Sequence, residues 1–164
     1  MNWYDWVTLA IMATVVVVQA IRGSKTAAGL IMFEAAGGVI AAAAATALAP
    51  GLAGATHVSE YTVLFVLFIV FLVLAFLLAH MLFAMTGLSF QSLDGVLSLF
   101  FGLVLAWAVA HMFLRIMIGS VEGDGAQAIA DSPVAREVFQ FRTWNALLRL
   151  LFKAKASDVN PDLG

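Results

Sequence analysis

The run from Tyr61 to Met85, YTVLFVLFIVFLVLAFLLAHMLFAM, constrains this chain more than any other stretch. It holds one residue that can carry charge near neutral pH, His80, and neither proline nor glycine. At about 1.5 Å of rise per residue, a helix of this length crosses a hydrocarbon layer roughly 30 Å thick. Hiding such a helix on every side within a soluble domain would take more chain than 164 residues supply. The run therefore reads as a transmembrane helix. Composition agrees, with 63% of residues hydrophobic and 11% charged, where ordinary soluble domains are about half apolar and a quarter charged. The absence of cysteine excludes disulfides, thiolate metal sites and cysteine nucleophiles.

The rest of the chain predicts an all-α membrane protein, a bundle of four transmembrane helices over residues 1–118 with spans at about 3–21, 27–49, 61–85 and 92–118. The first segment opens with Trp3, Tyr4, Asp5 and Trp6 rather than basic residues and has no clear small-x-small cleavage site, so it reads as a retained span with a headgroup-level aromatic belt. Arg22 to Lys25 reads as a basic turn. Pro50, Gly51 and Gly54 are expected to end the second span. An acidic linker at 119–132 follows the fourth, then an amphipathic helix over 133–155 that starts on Ser132-Pro133, and a polar tail at 156–164. On the amphipathic segment Arg142, Arg149 and Lys153 form a basic stripe opposite Phe141, Trp144, Leu148, Leu151 and Phe152. That pattern suits a helix lying in the membrane interface against anionic lipid, or one docked on the bundle or on a second subunit.

Small residues mark the packing faces. Glu34, Gly38, Ala42 and Thr46 share one face of the second span, and small side chains at four-residue spacing let another helix approach closely. Gly102, Ala106 and Ala110 make a second ridge on the fourth span, read as the seat for the alanine-rich second helix.

Candidate chemistry lies with ionisable residues inside spans, each of which costs roughly 2.5–3.5 kcal/mol at a helix centre on insertion scales. Glu34 lies about 12 Å and His80 about 8 Å from the same surface at helical rise, so the two can meet. They form either a proton relay or a structural polar clamp between the second and third helices. Asp5, His111 and Arg115 belong to the opposite surface, where Asp5 can pair with Arg115, or Arg115 can reach the interface by itself. Asp94 reads as a cap at the head of the fourth span. Basic residues near span ends favour the cytoplasm, which places the Arg22/Lys25 turn inside and both termini outside, whereas the five basic residues from Arg136 to Lys155, farther from a span end, argue the opposite. No GxSxG, HExxH or phosphate-binding loop is present, and the histidines stand far apart. These patterns point to no enzyme, metal, cofactor or nucleic acid. The partners they suggest are membrane lipid, a second copy of the chain or another membrane protein.

Trp3-Tyr4-Asp5, an apolar span and then Ile21-Arg22-Gly23 make an opening that resembles the colicin V production protein family of bacterial inner-membrane proteins. Thr86-Gly87-Leu88-Ser89, Leu93-Asp94-Gly95-Val96-Leu97 and Phe101-Gly102 are similar to that family's central signature, and Ser132-Pro133 leading to Trp144 also fits. The chain departs from the pattern at Gly95, where the family usually carries a basic residue. It departs again at Ser98, where glycine is common, and at Leu105-Ala106, where an arginine-glycine pair is usual. Roles of those arginines do not carry over. The resemblance implies a multi-pass inner-membrane protein linked to toxin production or export. In some relatives such a helical unit anchors an extracytoplasmic protease; here it implies the membrane unit alone.

Overall fold

The protein is described by a computed structural model over residues 2–121 and 123–140. Among these residues every regular element is helical: α1 Trp3–Lys25, α2 Ala28–Thr56, α3 Glu60–Thr86, α4 Asp94–Ser120, α5 Asp124–Ala130 and α6 Pro133–Gln140, with a 3-10 turn at Gln91–Leu93 before α4. Four of them are long and apolar enough to cross a membrane.

Local chemistry accounts for most boundaries. Asn2 and Asp5 close a capping box at the start of α1. Ser59 Oγ accepts from the Thr62 N–H at the start of α3. Gly87, at φ +57°, ends α3 in the left-handed conformation, its N–H bonded to the Phe83 carbonyl.

Two boundaries differ from the sequence reading. α1 continues through the supposed basic turn to Lys25, so Arg22 is helical. α2 runs past Pro50 to Thr56, because an internal proline removes one backbone bond while the surrounding turns keep theirs. Within the stretch read as an acidic linker, Asp124–Ala130 is also helical.

α2 packs along α3 on one side and α4 on the other, and α1 packs along α4, whereas α1 meets α2 only slightly. The order across the bundle is α3–α2–α4–α1. The most apolar helix is thus peripheral: 17% of the most apolar window of α3 is buried, against 50% of that of α2. Leu77, Leu78 and Met81 are among its many outward side chains.

The reason α2 takes the centre is its lack of bulk. A Cβ at Gly37 would stand 2.8 Å from Ala75 Cβ of α3, and one at Gly38 would stand 2.4 Å from Leu105 Cδ1 of α4. Ala41, Ala45 and Ala49 are buried with Leu64, Phe68 and Met112, and Ala42 packs at the margin of that cluster. Each atom pair at such contact gains only about 0.1–0.2 kcal/mol, so close approach along the whole helix is what makes the sum large.

The ridge on α4 serves a different neighbour from the one its pattern suggested. A Cβ at Gly102 would lie 3.0 Å from Gln19 Cβ of α1. Ala106 is fully buried on the same face. Ala110 packs in a cluster with Leu114, Ile129, Ala135 and Val138, flanked by Tyr4 and Met12. The ridge therefore seats α1 and the α5–α6 end, while α2 meets α4 at Leu105 and Met112. Ridge composition permits close approach but does not say which helix arrives.

Ser132 caps α6 as its sequence suggests, its Oγ accepting from the Ala135 N–H at 3.1 Å. Ala135 and Val138 of α6 are buried on the bundle, and Trp107 donates its indole N–H to the Val138 carbonyl at 3.0 Å. This part of the amphipathic segment is docked. The stripe Arg142, Arg149 and Lys153, and the tail at 156–164, lie outside the described residues.

Gly29 sets up a direct test of the packing argument. A Cβ there would fall 2.2 Å from the Leu88 carbonyl oxygen, whereas one at Gly51 meets nothing within 4 Å. Gly29→Ala is expected to lower stability by about 1–3 kcal/mol, and Gly51→Ala to leave it unchanged or raise it by up to about 1 kcal/mol. Unfolding of the purified protein in mixed micelles, followed by helix content, makes the comparison. Equal stabilities would contradict the close approach at Gly29.

Candidate functional site

The most concentrated chemistry sits where α1 ends and α2 begins. Glu34 is fully buried. Arg22 grips it with both terminal nitrogens, Nη2 to Oε1 at 2.7 Å and Nη1 to Oε2 at 2.8 Å. Gln19 donates Nε2–H to the same Oε2 at 2.8 Å, and its own Oε1 accepts from Arg22 Nη1 at 3.0 Å. Gln19 and Arg22 share one face of α1 because three residues make nearly one turn. Gly102 of α4 leaves the room in which Gln19 lies.

The fork of a guanidinium matches the two oxygens of a carboxylate, and such charge-assisted pairs are among the stronger hydrogen bonds. An ionised carboxylate buried without them would be very costly. The clamp also joins two helices whose backbones scarcely meet. α1 and α2 are neighbours in sequence but not in packing, and the long arm of Arg22 spans the gap.

His80 is nearby but is not the principal partner. Its Nδ1 lies 3.9 Å from Glu34 Oε1 and 2.9 Å from the Phe76 carbonyl one turn back. The imidazole is 57% exposed and the Arg22 side chain 36%, beside a carboxylate that is wholly covered. The sequence paired Glu34 with His80 by depth, and the two do come together. Arg22 escaped notice because α1 was expected to stop at Ile21, and Gln19, inside that span, because it carries no charge. A readable signal was present: helices flanking a short turn carry equidistant residues at similar depth, and Gln19, six residues before the end of α1, matches Glu34, six residues after the start of α2, with Arg22 one turn nearer the surface on the same face.

Two further acids each cap a helix other than their own. Asp94 Oδ1 accepts from the Phe90 N–H and from the Ala28 N–H, both at 2.9 Å, while Oδ2 accepts from Ser89 Oγ at 2.7 Å. Ala27, in the N-cap position of α2, has no side chain for that task, so the start of α2 is capped from α4. At the opposite end Asp5 is buried. It accepts from the Asn2 N–H at 2.9 Å and from the Val134 N–H of α6 at 3.3 Å.

The expected group of Asp5, Arg115 and His111 therefore does not assemble. Asp5 is committed to backbone donors. His111 stands edge-on to Phe139, with ring centroids 4.9 Å apart. Arg115 reaches across to Thr46 of α2, Nη1 to Oγ1 at 3.5 Å. The acid lay closer to two helix N-termini than to the guanidinium; docking of the amphipathic segment on the bundle was one of the two readings of its pattern, but that pattern did not say which residue of α1 would meet its start.

Between Glu34 and Thr46 the four-residue stripe of α2 carries Gly38 and Ala42, and Leu105 of α4 closes over Gly38. Among the described residues no group of three or more His, Cys, Asp or Glu gathers as metal ligands would. The arrangement is two polar ends separated by an apolar seam. Fold and site together define a helical protein with four spans of membrane-crossing length and a buried ion-pair clamp at one end. Comparison with family models, with curated proteins and with solved structures finds no match.

Because Glu34 is covered and Arg22 is partly open, the two halves of the clamp are unequal. Arg22→Gln strands a buried charge and is expected to cost about 3–5 kcal/mol. Glu34→Gln leaves an acceptor for both neighbours and a cation with access to solvent, and is expected to cost about 1–3 kcal/mol. Paired unfolding curves decide this, and a larger loss for Glu34→Gln would mean the carboxylate is not held as described.

Proposed function

We propose that this chain is a multi-pass bacterial inner-membrane accessory protein of the colicin V production type, acting in toxin production, export or envelope function through helix and partner contacts. The observation that carries the non-transporting part of this reading is the saturation of Glu34. Both of its oxygens are taken by Arg22 and Gln19, and the seam beyond it offers Gly38, Ala42 and Leu105 rather than a polar path.

The family part rests on the residues that carry the resemblance. Asp5 and Asp94, the acids of its opening and central motifs, each hold the start of a second helix. Such acids define the shape of a membrane unit more readily than they perform a reaction. Four helices packed this tightly leave the outer faces as the means of action, toward lipid, a second copy or another membrane protein.

A second reading, a small oligomeric channel or proton-coupled carrier using Glu34 and His80, has one observation in its favour. The exposed imidazole 3.9 Å from Glu34 gives that carboxylate a route to the outside. Proton flux in liposomes containing purified protein separates the two. The accessory reading expects no flux above protein-free liposomes from wild type or from Glu34→Gln. Flux that Glu34→Gln abolishes, in protein that still folds and inserts, would replace it with the carrier.

A further inference from the structure

α6 is amphipathic, yet it does not lie flat across the end of the bundle. Its start is held at the level of Asp5, whose Oδ1 accepts from the Val134 N–H. Its last turn stands well below that level. There the Val138 carbonyl accepts from the Trp107 indole, and Phe139 meets His111 edge-on with ring centroids 4.9 Å apart. Tyr4 and Met12 of α1 flank the same cluster. α6 therefore runs back along the α1–α4 groove, in the direction of α1 and against that of α4.

Two helices give the depth independently. α1 has 23 residues and α4 has 27, so they exceed a hydrocarbon layer of roughly 30 Å by about 2 Å and about 5 Å at each end. Met12 lies nine residues from the start of α1, and His111 nine from the end of α4. That sets them about 11 Å and about 8 Å inside the layer at helical rise. Val134, beside Asp5, is at its edge, and Gln140, six residues on, lies about 10 Å within.

Ala135 and Val138 are buried on the bundle, while Arg136 and Gln140 are exposed on the opposite face of α6. Arg136 pairs with Asp131, and both side chains remain about half exposed. A guanidinium or a primary amide set against acyl chains is costly, and such groups at membrane depth turn to protein or to water. The polar stripe starts at an ion pair open to solvent and descends one turn to Gln140, a continuous track for water.

We propose that α6 is a re-entrant helix, dipping from the membrane surface about a third of the way across the hydrocarbon, with water following its Arg136–Gln140 face. The notch so formed is a surface for water and small polar solutes rather than for lipid tails. It lies at the opposite end of the bundle from Glu34, beyond the apolar seam. It rests on the membrane-spanning reading of the chain.

The chain has no cysteine, so single cysteines can carry a bimane fluorophore in the full chain, reconstituted in phosphatidylcholine liposomes. Quenching by nitroxides on lipid headgroups or midway along acyl chains reads depth, and the emission maximum reads polarity. Leu77 of α3 is 57% exposed and stands nine residues before the end of that helix, a lipid-facing reference at matching depth in the other leaflet. Gln140→Cys is expected to match Leu77→Cys in depth and to lie about 6 Å deeper than Arg136→Cys. It is also expected to emit at the longer wavelength of a hydrated probe, where Leu77→Cys emits at a shorter one. Equal depths at Arg136 and Gln140, both near the headgroups, make α6 a flat interfacial helix and overturn the proposal. A deep Gln140→Cys probe with the emission of Leu77→Cys also overturns it, placing lipid or a second copy on that face. If Arg136→Cys loses helix content, the comparison of Gln140→Cys with Leu77→Cys decides alone. A Leu77→Cys probe that mid-chain nitroxides fail to quench would instead remove the membrane reading beneath it.

Discussion

α2 can lie between α3 and α4 only because its backbone carries so little side-chain bulk. Gly37 faces Ala75 and Gly38 faces Leu105 at separations where even one added carbon would collide. Buried alanines continue the same contact toward Leu64, Phe68 and Met112. Helices of this hydropathy have no shortage of apolar surface. What distinguishes α2 is that its surface is thin, so the helix axes come close and dispersion contacts accumulate on both sides. The bulky, uniformly apolar α3 then takes the outside, where large side chains need no complementary partner.

Polar groups have been placed at the ends of this apolar seam, and their chief work is to bind helices that packing leaves apart. Arg22 reaches from α1 to Glu34 although the two helices barely touch. Asp94 reaches from α4 to the start of α2, and Asp5 reaches from α1 to the start of α6. In each case a charged side chain satisfies groups that would be expensive to bury alone, either a carboxylate or the free N–H groups of a helix end. Arg115 stands apart from these pairs, its contact being with the hydroxyl of Thr46 on α2.

Legibility followed the range of the interaction. The four long helices, the Ser132 cap, the acid at the head of α4 and the meeting of Glu34 with His80 could all be read from spacing and depth. Arg22 was lost through a boundary: a Gly-Ser pair after an arginine looked like a turn, while the helix runs on to Lys25. Pro50 misled in the same way. The partners of Asp5 and of the Gly102–Ala110 ridge were misassigned for a deeper reason. Charge and smallness are properties of one residue, whereas the identity of the neighbour is a property of the assembled bundle.

The sequence by itself determined that the chain forms long apolar helices, where charged residues interrupt them, and which faces are thin enough for another helix. Hydropathy and periodicity act within a single segment, so no knowledge of the other segments is required. Only the tertiary structure decided that α2 is central and α3 peripheral, that Gly102 receives α1, and that Glu34 belongs first to Arg22 and Gln19. Those outcomes depend on which of several equally apolar surfaces fit most closely, and closeness of fit exists only once the helices are together.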